Sequence, residues 1–147
     1  MTHRSKSTLF LIEQIIVIAV FAICAAACVR ILTAAYFTAN DTQATSHAVL
    51  RAESAAEVFK ATSGDVDAIA SVLGGTSGTA ADGVAGVAVY YDSSWQISNE
   101  GNASYHLGLA IYPPQNPNDA HLLNGEIWVV KITGEELVSF PVATRSG

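Results

Sequence analysis

Cysteine is nearly absent: the chain has two, Cys24 and Cys28, and both lie inside an apolar run near the amino terminus. Everything beyond Arg30 is therefore without a thiol, which removes a disulfide framework as a source of stability there. The two thiols stand four residues apart, on one face of a helix, and no His or further Cys accompanies them as a metal set. They read as small packing residues. Charge is also scarce. Only 14% of residues are charged, against about 25% in an ordinary globular chain. The 7 bases are outnumbered by 13 acids, for a net charge of -6, and no basic cluster exists to meet a phosphate backbone. Nucleic acid is not an expected partner. Finally, neither proline nor glycine occurs from Ile31 through Thr62, so nothing in that stretch breaks a helix.

Chemical motifs are missing as well. Gly74-Gly-Thr-Ser-Gly-Thr-Ala-Ala-Asp-Gly-Val-Ala-Gly86 resembles a phosphate loop in composition only. It lacks the Gly-Lys-Ser/Thr ending and a strand before it, and reads as a flexible connection. His3, His47, His106 and His121 are scattered, and none sits in a ligand-type spacing. Asp92-Ser-Ser94 places hydroxyls beside a carboxylate, which a hairpin turn explains. Glu135-Glu136 reads as a solvated turn. Asn102-Ala-Ser104 fits a glycosylation acceptor by pattern alone. Trp95, Trp128, Tyr90 and Tyr91 make a carbohydrate platform conceivable, but strand packing accounts for them. No active site, cofactor, metal or small-molecule substrate is expected.

What the chain does have is an apolar run. From Leu9 to Val29 the strongly polar residues are Glu13 and Gln14 alone. At ~1.5 Å per residue this stretch covers roughly 30 Å, the thickness of a bilayer core. A carboxylate in such a segment is costly and, by default, functional. Arg4 and Lys6 precede the run, and Arg30 is the nearby base beyond it. Basic residues stay on the cytoplasmic side, so the amino end is expected inside and the carboxyl domain outside. A cleaved signal peptide ending at Ala25-Ala26-Ala27 and a lipoprotein box at Cys28 are the competing fates. The length of the run, its acid and the helical character beyond Cys28 favour an uncleaved anchor.

That helical character continues to about Thr62, where Thr62-Ser63-Gly64 supplies a stop. One helix of roughly 53 residues, on the order of 80 Å, is expected, with Thr38–Ser46 as the place where it could bend. Val49, Ala52, Ala56 and Phe59 form an apolar stripe on it for packing against a sheet. Asp65–Leu73 reads as a short second helix. Strand patterns follow at Val87–Tyr91, Trp95–Ile97, Tyr105–Tyr112, Glu126–Ile132 and Leu137–Ala143. Pro113, Pro114 and Pro117 end one of them, and Pro141 marks an edge strand. Asn124-Gly125 is a turn signal. The fold class is α+β: a long amino-terminal helix on a small antiparallel meander of about four strands. The expected divisions are a basic cytoplasmic end (1–8), a transmembrane helix (9–29), its extracytoplasmic continuation (30–63) and an αβ loop with the sheet (64–147).

Leu9-Phe-Leu-Ile-Glu-Gln-Ile-Ile-Val-Ile-Ala resembles the amino-terminal segment of type IV pilins and type II secretion pseudopilins. In that family a Phe-Thr-Leu-Ile-Glu-like run opens a long helix that lies on a small antiparallel sheet. The resemblance puts Glu13 at the family's acid, the fifth residue of the mature chain, with Leu9 at the mature first position and Thr8 just before it. It implies that Glu13 neutralises the terminal amine of an adjacent subunit among packed helices. Thr8 stands where the family's peptidase site has Gly, and Leu9 where it has Phe, which predicts an uncleaved, atypical minor subunit. The implied role is non-catalytic assembly in the cytoplasmic membrane, with other pilin-like subunits and an assembly platform protein as partners. The alternative is a membrane-tethered or lipidated extracytoplasmic binding module that does not polymerise.

Overall fold

The computed structural model describes residues 3–79, 83–114 and 121–145, with side chains described from residue 7 onward. It contains helix α1 (His3–Ala61), helix α2 (Val66–Leu73) and strands β1 (Thr76–Thr79), β2 (Ala85–Tyr91), β3 (Ile97–Ser98), β4 (Tyr105–Tyr112), β5 (Leu122–Lys131) and β6 (Glu136–Arg145). The chain divides into two compact units, residues 1–42 and residues 43–147. The class is α+β, as expected.

In the first unit every described side chain is exposed, and all of its described residues belong to α1. The helix begins at His3 rather than at Leu9. Thr33 and Thr38 donate their hydroxyls to the carbonyls of Val29 and Ala34, and Thr42 donates to Thr38. Each hydroxyl is thus satisfied within the helix, the arrangement that lets threonine sit on an apolar helix surface. The stretch read as a possible bend is assigned helical throughout, and the division between units falls inside it, after Thr42.

In the second unit the carboxyl-terminal part of α1 packs on one face of the sheet. The strand order is β1-β2-β4-β5-β6, all antiparallel, with β3 pairing on β2 beyond β1. Among the described residues six strands are present rather than about four. The one that no sequence pattern announced, β1, lies within the glycine-rich connection, where Thr76, Ser77, Gly78 and Thr79 pair with Ala88, Val87, Gly86 and Ala85. Trp95–Ile97 is mostly turn. Pro141 does lie on an edge strand, β6. Asn124-Gly125 is not a turn; both residues are inside β5, opposite Tyr112 and Ile111. Gly125 is buried, and a Cβ there would meet the Ala110 carbonyl oxygen at 2.8 Å. Its glycine serves a close backbone approach, not a reversal. Pro117 lies outside the described residues.

The core is the inward face of the sheet against alanines. Ala44, Ala48, Ala52, Ala55, Ala56 and Phe59 from α1 are buried with Val89, Leu107, Leu109, Ile127 and Val129. Small side chains let the helix approach closely, and the strand residues supply the volume. Of the four residues read as the packing stripe, Ala52, Ala56 and Phe59 are buried, while Val49 is half-buried and Ala48 takes the interior position. Ser63 (φ 52°) and Gly64 (φ 80°) then reverse the chain, with the Gly64 N–H bonded to the Phe59 carbonyl at 3.0 Å. Such a left-handed ending satisfies carbonyls at the helix terminus. Asp65 caps α2 by accepting from the N–H groups of Asp67 and Ala68.

Candidate functional site

Three places in the molecule carry more than packing demands. The first is the exposed apolar length of α1. Leu9, Phe10, Leu11 and Ile12 are each more than half exposed, as are Ile15, Ile16, Phe21 and Ile23. One helix here is long and apolar enough to cross a membrane by length and composition. Glu13 sits among these side chains, exposed, and no ion pair to it is found among the described residues. Thr8 and Leu9 are exposed one turn before it. Cys24 and Cys28 are free thiols, also exposed.

The second place is an aromatic cluster that joins α1 to the β2–β3 turn within the second unit. Asp92 holds this turn by accepting from the N–H groups of Ser94 (2.8 Å) and Gln96 (3.0 Å). The turn seats Trp95 at φ 60°, a left-handed conformation costly for a bulky side chain. Trp95 is buried and stacks on Tyr105, with ring centres 4.0 Å apart. His47 stacks on Trp95 as well, at 5.6 Å. Arg51 donates to the Trp95 carbonyl at 3.0 Å and lies 5.2 Å from the centre of the Tyr91 ring. Burial raises the Tyr91 hydroxyl above its ordinary value, and the Arg51 charge partly opposes this. The cluster is a clamp. It explains Trp95, Tyr91 and Tyr105 as packing.

The third place is the sheet face turned away from α1. Antiparallel sheets with one covered face usually present polar residues on the other. Here the pairs Gly86–Ala110 and Ala88–Gly108 lie side by side on that face. Trp128, opposite Gly108, lies down on it: a Cβ at Gly108 would be 2.3 Å from the indole ring. Tyr90 and His106, also paired, stack with ring centres 4.9 Å apart. The result is a trough of about 300 Å³. The Nε2 atom of His106 is buried without a hydrogen-bond partner among the described residues. Its burial lowers the His106 pKa, with the Glu100 carboxylate opposing. Farther along the same face, Glu126 accepts from Ser139 (3.2 Å) and Tyr112 (3.4 Å).

The four aromatic residues weighed as one platform are thus split, with Tyr91 and Trp95 in the core and Tyr90 and Trp128 on the opposite face. The trough escaped the sequence reading, although glycine within a strand signals a close approach, and both Gly86 and Gly108 are such residues. Among the described residues no group of three or more His, Cys, Asp and Glu side chains is placed to hold a metal ion. Glu135 is paired with Lys131 at 2.8 Å, and Asn102 is exposed in a short 3-10 turn, Glu100–Asn102. Comparison of the chain with models of protein families, with characterised proteins and with solved structures gives no match.

Proposed function

We propose that this protein is a single-pass, pilin-like membrane subunit that works by assembly rather than catalysis, as a non-catalytic component of a type IV pilus or type II secretion-like system. The observation that carries the reading is the run of α1 from Leu9 to Val29: an apolar stretch exposed along its length, interrupted by one carboxylate, Glu13. A lipid-embedded charge is stable only where a partner or the headgroup layer offsets its desolvation. Pairing with the amine of a neighbouring subunit would do so; in an unprocessed chain a base of a partner takes that place. Arg4 and Lys6 before the span favour a cytoplasmic amino terminus and an extracytoplasmic second unit. The other expected partner is an assembly platform protein in the same membrane.

The test uses Cys24 and Cys28 as native cross-linking handles in membranes. An assembling subunit gives adducts between helices of neighbouring subunits, and Glu13→Ala leaves insertion intact while abolishing co-purification with them. Failure of insertion with partner capture unchanged would mean that Glu13 serves the anchor alone. One observation favours the second reading, a tethered binding module that does not polymerise: the trough on the outer sheet face. For that protein the adducts would be absent.

A further inference from the structure

The trough has a definite shape. The register aligns three outward-facing rows across the sheet: Gly78, Gly86 and Ala110; then Thr76, Ala88, Gly108 and Trp128; then Tyr90 and His106. Strands lie ~4.8 Å apart and same-face rows about 7 Å apart. The first two rows therefore make a floor of roughly 7 by 10 Å, with the Trp128 ring over its Gly108 corner. Trp128 stands at one end of the floor and the stacked Tyr90–His106 pair along one side. The β1 edge, whose residues are all exposed, leaves the end opposite Trp128 open.

The chemistry of the lining selects what fits. None of its described lining residues carries a formal charge, although the chain as a whole has a net charge of -6. Glu126, opposite Ala110 on the same face, already accepts from Ser139 and Tyr112. A sugar ring would bring several hydroxyls, but the described lining offers few side-chain partners: the Thr76 and Thr79 hydroxyls, the Trp128 N–H and the His106 Nε2 atom. The third hydroxyl, that of Ser77, already donates to Asp67 at 2.7 Å. Unpaired hydroxyls on a bound sugar would cost about 1–3 kcal/mol each. A flat apolar ring loses nothing on this floor and gains edge or face contact with the indole. The volume of about 300 Å³ is at the small end of ligand sites, which run from about 300 to 1,000 Å³.

The geometry points to a binding site on the outer face of β1, β2 and β4 for a small, neutral, planar aromatic ligand of about two fused rings, seated on Gly78, Gly86, Ala88 and Ala110 against the Trp128 ring that covers Gly108. This goes beyond the assembly role and stands independently of it. The probe is indole, titrated into the full-length chain in lipid nanodiscs, with the backbone amides followed by NMR. Gly78→Leu fills the trough at a position where an added Cβ meets nothing within 4 Å, so the fold tolerates it. Ala88→Leu fills the floor from a second strand.

Saturable shifts at Gly86, Ala88, Gly108 and Ala110 are expected with a Kd below about 1 mM. Each leucine variant should weaken binding at least about tenfold while keeping the melting temperature within a few degrees. Three results would overturn the site: no saturable shift at these amides, binding unchanged in both variants, or shifts produced by methyl glucoside and not by indole.

Discussion

Phe59 is the large side chain that α1 contributes to the core, and its truncation is the most direct probe of how the second unit is held together. The ring is fully buried. It lies near Gly64, whose Cβ, if present, would be 3.5 Å from the ring. Its neighbours in the cluster on α1 are mostly alanines, which cannot extend into a void, so collapse around the missing ring is limited. Phe59→Ala is therefore placed at about 3–5 kcal/mol, the transfer and cavity costs together. A domain of this size typically has ~5–15 kcal/mol in total. At about 4 °C or more per kcal/mol, the melting temperature should fall by at least about 12 °C. Phe59→Leu retains most of the volume and should cost less than about 1.5 kcal/mol. Leu50→Ala removes a larger aliphatic group from the same helix, but Leu50 is 61% exposed, and its loss should stay within about 0.5 kcal/mol. Urea unfolding of the full chain in nanodiscs, followed by the fluorescence of buried Trp95, gives all three values. Equal effects of Phe59→Ala and Leu50→Ala would show that α1 does not pack on the sheet through this face.

Two further outcomes follow from the same contacts. Arg51→Ala leaves the Trp95 carbonyl without its charged donor, and loss of such a bond at a part-buried site should cost about 1.5–3 kcal/mol; a red shift of Trp95 emission in the folded variant would report the loosened turn, and an unchanged spectrum with unchanged stability would dismiss the clamp. His106 has a folded-state pKa below its ordinary value of 6.5, so the unfolded chain binds the proton more readily. Its contribution to stability is then complete above about pH 6.5 and is lost as the pH falls toward the folded-state value. Unfolding free energy measured from pH 7.5 to 5 should decline, and His106→Gln should flatten that part of the profile; an identical slope in the variant would assign the acid sensitivity elsewhere.

Composition and periodicity alone determined the class of this protein. An uninterrupted apolar run, the absence of helix breakers to Thr62 and short alternating segments afterwards define a long helix followed by an antiparallel sheet, because those patterns are local consequences of backbone geometry. Glu13 was legible for the same reason: a carboxylate among aliphatic residues stands out without any fold. Three things required the tertiary structure. Alanine is too weakly hydrophobic to announce a buried face, so Val49 attracted the interior assignment that belongs to Ala48, and Leu50 shows how little side-chain size alone decides. Glycine has two uses that look alike in a sequence. Gly125 signalled a turn, yet it sits inside a strand because the Ala110 carbonyl passes close by, and Gly108 is a strand residue because the Trp128 ring occupies its missing side chain. The trough depends on register, since Gly78, Gly86 and Ala110 come from three strands and become one surface only when those strands align. Local sequence sets what each segment prefers to be; which small residues meet is decided by the pairing of strands, and pairing is a property of the folded whole.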